Sequence, residues 1–281
     1  MSTQDTNKIA VCTDFTSIAQ HAFEESIALA KKLKAEIHLV HVLLENSETE
    51  VTVERKMAKM VDKTKDQLGD IVVKFNVVDG GGDIVEELNK EVTKLAPAYF
   101  VVGYEVKKGL DRFFGPNIMK IVRGTKLPVL AIKEDETLKD LKDIVFPLNL
   151  WDYARQKTFA TIRLAQRLGA TVHLIGLDVD MTDGDRRNLK IFMNQLKKQF
   201  DEYGLKYTEA ILQGDDEVSV VVDFANKVDA DLIAKVFHHD PGLISRLRGN
   251  QDEETLVKSN MPLFVVKSTD YMQGNWSAMR G

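Results

Sequence analysis

The residues able to do chemistry gather in two short stretches of the first half of the chain. The apolar run that opens "KIAVCTDF" (8–15) ends in Thr13 and Asp14, a hydroxyl and a carboxylate placed where a strand would stop. Some ninety residues later "VVGYEVKKGLDRFFGPN" breaks an apolar run at Gly103 and adds Gly109 and Gly115, with Lys107, Lys108 and Arg112 between them. Glycines ahead of a helix start suit an anion, because they let backbone come close and the helix N-terminus presents its N–H groups. Two residues oppose that chemistry. Val106 is β-branched and held to negative φ where a glycine turn would be needed. Pro116, although well placed for a first helical turn, brings neither an N–H nor a hydroxyl to a phosphate. The stretch therefore reads as a loop that keeps its glycines and has lost much of the cradle. Gly109 shifts the turn toward partial compensation, and the three basic residues read either as an exposed basic loop or as remaining charge for an anion.

Other constellations carry less. Gly80–Gly82 lacks the G-x-G-x-x-G spacing and follows the third apolar run instead of the first, so it reads as a turn. His238, His239 and Asp240 are adjacent, and adjacent side chains point apart, so a solvated loop competes with a zinc-like site. "DVDMTDGD" (178–185) has its glycine one place late for a calcium loop and Leu189 where the closing Glu belongs, which leaves a linker and a helix cap. Cys12, the one cysteine, reads as a small buried hydrophobe. His38 and His41 are an odd number of residues apart on one strand and face opposite sides. The sequence contains no G-x-x-x-x-G-K-[ST], H-E-x-x-H or G-x-S-x-G.

The elements that must position these residues come in two copies. "KIAVCTDF" (8–15) matches "DIVFPLNL" (143–150), and "IALAKKLKAEIHLVHV" (27–42) matches "IRLAQRLGATVHLIGL" (162–177), both at an offset of 135. "PAYFVVGYEVKKGL" (97–110) pairs with "ADLIAKVFHHDPGL" (230–243), and "KLPVLAIK" (126–133) with "NMPLFVVK" (260–267), at nearly the same spacing. Each copy alternates short apolar runs with segments of helical period, the mark of β-α-β units and a mostly parallel sheet. In the first copy the strands are placed at 8–13, 36–43, 71–78, 98–103 and 127–132. Helices are placed at 17–34 behind a Thr16 or Ser17 cap, at 50–69 with Met57 and Met60 as core filler, and at 83–95 behind Asp83. The joint is the charged stretch Lys133–Asp143, giving domains at 1–136 and 137–268 and a tail at 269–281 that either docks or frays.

Composition fits this layout. The chain has 281 residues, 44% apolar and 29% charged with 6 Pro, which suits two globular domains and no disordered tract. A net charge of −5 with interleaved basic residues predicts no nucleic-acid partner. The polar start, the single thiol and the lack of a long apolar stretch predict a cytoplasmic protein with no membrane partner.

The strand ending in "TDF", the segment "ALAKKLKAEIHLVHV", the strand ending at Gly103 before a glycine loop, and "LPVLAIK" as last strand together resemble a universal stress protein domain, here in tandem. The resemblance implies an α/β fold. It would contain two repeats of a five-stranded parallel-sheet, Rossmann-like (adenine nucleotide alpha hydrolase-like) α/β/α sandwich, paired through the last strands. In some members of that family ATP sits in a G-x-x-G, nine or so residues, G-[ST] loop. Matched residue by residue, the cofactor positions are Thr13, Asp14, Val42, Val102, Gly103 and Gly115, with Gly109 in the shifted turn. The pattern fails at Val106 and Pro116. In the second copy it fails further: Asn149 replaces Asp14, Val236 replaces Gly103, His239 stands at the Val106 position and "RGNQ" stands for "FGPN".

The reading is a tandem stress-response or regulatory protein, non-catalytic, with a degenerate nucleotide site. Its two domains form an intrachain pseudo-dimer, and a further homodimer is compatible with the sequence. The alternatives are an ATP-binding, slowly hydrolysing sensor through the first domain, and a metal or small-molecule site in the second crevice.

Overall fold

The computed structural model describes residues 7–44, 48–106, 117–138, 140–151, 154–237 and 251–268. Strands β1 (Lys8–Cys12), β2 (Glu36–Leu44), β3 (Val73–Gly80), β4 (Tyr99–Gly103) and β5 (Val129–Ile132) alternate with helices α1 (Ser17–Leu33), α2 (Glu50–Asp62), α3 (Lys65–Leu68), α4 (Ile84–Leu95) and α5 (Asn117–Gly124). The second half supplies β6 (Asp143–Leu148), α6 (Thr158–Leu168), β7 (Thr171–Asp178), α7 (Asp183–Glu202), β8 (Lys206–Gln213), α8 (Glu217–Lys227), β9 (Leu232–Phe237), α9 (Gln251–Lys258) and β10 (Leu263–Lys267).

All ten strands form one sheet in the order β3-β2-β1-β4-β5-β10-β9-β6-β7-β8. Every pairing is parallel except β5 with β10, where Val129 lies opposite Val265, Leu130 opposite Phe264 and Ala131 opposite Leu263. The fold is α/β, Rossmann-like and doubly wound, with the winding reversing between β1 and β4 and again between β6 and β9. Parallel strands need crossover helices, so both faces of the sheet are covered and the central strands read as unbroken apolar runs. One apolar layer joins Phe23, Leu39, Met57, Phe146, Leu196 and Phe200; the other joins Phe100, Val102, Tyr104, Val122, Ile233 and Leu263.

Helix starts follow their caps. The Thr16 side chain accepts from Ala19 N–H, and Asp83 accepts from Val85 and Glu86 N–H. Thr182 and Asp185 form a reciprocal capping box ahead of α7, while Asp178 is taken by Arg186 at 2.9 Å, which accounts for the acidic "DVDMTDGD". The single helix expected over 50–69 is broken at Lys63 and Thr64. There the buried Thr64 hydroxyl donates to the Val61 carbonyl at 2.9 Å, which ends α2 before the short α3 begins.

The joint between the halves is tied down. His21 Nε2 bonds the Glu136 carbonyl at 2.6 Å, and Leu138 and Leu141 are buried. The Asp231 carboxylate accepts from Lys142 N–H at 2.7 Å and Asp143 N–H at 2.9 Å. Two bonds cross between the halves beside the central strands: the Tyr104 hydroxyl donates to the Leu256 carbonyl at 3.1 Å, and the Lys133 ammonium to the Ser259 carbonyl. Burial pushes the Tyr104 phenol well above its usual range, so it stays a neutral donor.

Candidate functional site

In an open parallel sheet, ligands bind beyond the carboxyl ends of the strands where the winding reverses. In the first half that place is the end of β1 against the end of β4. The register pairs Val11 with Val101, which carries Thr13 to the level of Gly103, and Thr13 N–H donates to the Val40 carbonyl at 2.9 Å.

The corner after β1 is held from three sides. The buried Thr13 hydroxyl donates to Met60 Sδ at 3.3 Å and accepts from Phe15 N–H at 3.0 Å. His41 Nδ1 donates to the Thr13 carbonyl at 2.7 Å. Phe15 takes a left-handed backbone at φ 66°, a conformation that costs a non-glycine residue about 1–3 kcal/mol and persists because its surroundings impose it. Its ring lies 4.6 Å from the His41 ring, with the Lys56 ammonium 5.3 Å away. The result is that Asp14 faces solvent at the mouth of the crevice. Its Oδ1 accepts from the Thr16 N–H at 3.0 Å and the Thr16 hydroxyl at 2.6 Å. His41 is the residue that strand alternation alone missed: its role depends on a contact across to the β1 corner.

Val42 and Val102 are both buried and pack in the second apolar layer, so what they can present to a ligand is backbone. Gly103 has a packing reason of its own. A Cβ there would stand 2.7 Å from the Ile18 carbonyl oxygen and 2.8 Å from Ile18 Cγ2, so the first turn of α1 requires a glycine whether or not a phosphate approaches. Val106 packs against the second apolar layer, which fixes it as core filler at the position where the cradle called for a glycine. Gly109, Gly115, Pro116, Lys107, Lys108 and Arg112 lie outside the described residues. Burial, with the Asp14 carboxylate adding to it, pushes the Cys12 thiol up to about 12, so Cys12 is no nucleophile at neutral pH.

The second crevice differs in build. Asn149, at the Asp14 position, donates to Glu217 Oε2 at 2.9 Å and accepts from Trp151 N–H at 3.2 Å. Val236, at the Gly103 position, is buried. Helix α6 opens at Thr158, six places later than the repeat places it by analogy with Ser17 of α1. His238, His239, Asp240 and the glycines Gly242 and Gly249 lie outside the described residues. Among the described residues there is no cluster of three or more His, Cys, Asp or Glu able to hold a metal ion.

An open, doubly wound α/β sheet with its crevice at the strand ends defines a Rossmann-like protein. Residues 6–133 match the model of the universal stress protein family. The whole chain resembles the crystal structure of a universal stress protein from Archaeoglobus fulgidus DSM 4304 at TM-score 0.69 and 15% identity, covering 93% of this chain and 98% of that one. A functionally unknown protein from Pseudomonas aeruginosa PAO1 aligns at TM-score 0.64 and 17% identity, over 95% of this chain and 94% of that one. At such identities the likeness shows the fold. No curated protein sequence matches the chain. No helix among the described residues is long and apolar enough to cross a membrane.

Proposed function

We propose that this chain is a tandem universal stress protein of the cytoplasm, a stress-response or regulatory protein that acts without catalysing a reaction. Its domains are residues 1–136 and 137–268, packed as an intrachain pseudo-dimer through their last strands. The observation that carries this reading is the antiparallel β5–β10 pairing, the sole antiparallel step among the described residues, placed where the strand order of the first half meets that of the second.

The first crevice is the place for an adenine nucleotide, with ATP as the candidate. In this reading the ligand positions are Thr13, Asp14, Val42, Val102 and Gly103, together with Gly109 and Gly115, which lie outside the described residues. Asp14 is an exposed carboxylate at its mouth and can accept from a ribose hydroxyl or an adenine amine. Val106, packed inward, and Pro116, without an N–H, weaken the phosphate end. The test is titration calorimetry of ATP with and without Mg²⁺, on the wild type and on Val106→Gly with Pro116→Ser, with phosphate release followed in the same samples. The account predicts at least tenfold tighter binding by the double variant and no turnover by the wild type. Equal affinity, or steady phosphate release by the wild type, contradicts it.

A further inference from the structure

The second crevice contains a pair of lysines whose positions in the first half are apolar. By the repeat spacing Lys235 stands where Val102 stands, inside the central strand β9, and Lys157 stands where Ala22 stands. Charged residues are rare at such positions unless paired, because burying a charge is costly.

The local structure shows how room is made for them. β6 pairs with β9 only at Ile144 and Val145, and beyond that the two strands part. Pro147 sits where a partner on that side would have required an N–H. With α6 starting late, the turn ahead of it folds over the gap, and Lys157 reaches back to donate to the Pro147 and Ala154 carbonyls, both at 2.8 Å. Lys157 is 2% exposed, and its ammonium lies 4.4 Å from the Phe146 ring centre.

Between the parted strands is a cleft of about 40 Å³ lined by Asn149, Lys157, Glu217, Lys235, Gln251 and Thr255 among others. That space holds only a few heavy atoms. Glu217, held by Asn149, is the one carboxylate among these lining residues, against two ammonium groups. Lys235 has no hydrogen-bond or ion-pair partner among the described residues. Burial, with the like charge of Lys235 behind it, holds Lys157 well below the usual lysine range, as expected of a cation short of a counter-charge.

We infer that this cleft binds a small oxyanion, a phosphate or a carboxylate, between Lys157 and Lys235. The anion supplies the charge that the two lysines lack. The site uses side-chain ammonium groups, not a glycine loop, and is independent of the first crevice.

The experiment is a thermal-unfolding titration of the full chain with sodium phosphate and, separately, sodium acetate, each against sodium chloride at equal ionic strength. It is repeated on Lys235→Met and Asp14→Ala. Lys235→Met returns the strand to an apolar residue and keeps the fold. The expected result is a saturable rise in Tm with phosphate or acetate in the wild type, retained in Asp14→Ala and weakened at least tenfold in Lys235→Met. The anion that produces the rise identifies the ligand class. No saturable rise with either anion, or an equal rise in Lys235→Met, overturns the assignment.

Discussion

At Gly103 the backbone of β4 and the first turn of α1 come so close that no side chain fits, and the contact is to a carbonyl oxygen that cannot rotate away. Gly103→Ala forces the helix start outward, and we expect it to destabilise the fold by about 1–3 kcal/mol, read as a fall in the urea midpoint at unchanged slope. An unchanged midpoint would mean that the helix start shifts freely. The same position shows what was legible at this scale. Thr13, Asp14 and the break at Gly103 could be placed from the ends of apolar runs, and the inward packing of Val106 agrees with a residue unsuited to a glycine turn. The role of His41 could not be read, because it depends on a bond to the Thr13 carbonyl from the neighbouring strand. Lys235 left a signal that was passed over, a single charge inside "LIAKVF". Lys157 left none, since its burial follows from the late start of α6.

Among the elements, the joint shows the clearest departure from its sequence. The joint Lys133–Asp143 is a charged stretch, yet the Glu136 side chain is fully buried and paired with Lys133 Nζ at 3.2 Å. Burial outweighs that pairing and raises the Glu136 carboxyl from 4.5 to about 6. A raised carboxyl binds its proton more tightly in the folded chain than in the unfolded one. Its contribution to stability is therefore full below about 4.5 and is lost as pH rises to about 6. The loss amounts to about 2 kcal/mol. Urea unfolding at steps between pH 4 and 7 should show the difference between wild type and Glu136→Gln falling by that amount over this window. A flat difference would place Glu136 in water. Strand positions in the first half were legible to within about two residues because apolar runs in a parallel sheet are continuous. The break between α2 and α3 was not, since the Thr64 hydroxyl competes for a helix carbonyl without disturbing the apolar period.

For the whole molecule, the internal repeat carried most of the information. Two copies in one order imply two equal sheets, and a short apolar last strand in each implies an edge that must be covered. The structure joins the ten strands through those two strands, β5 and β10. The repeat showed that the second crevice departs from the first at Asn149, Val236 and His239; what it could not supply is the parting of β6 and β9 beyond Val145, which is backbone geometry. The central claim is that neither β5 nor β10 is an edge. Residue-resolved amide hydrogen exchange on the native chain tests it without altering a side chain. If the sheet is continuous, every amide of Val129–Ile132 and Leu263–Val265 exchanges slowly, at the rate of the central strands. Alternate amides of β5 exchanging at the rate of the outer strands β3 and β8 would show an open edge and contradict the tandem arrangement.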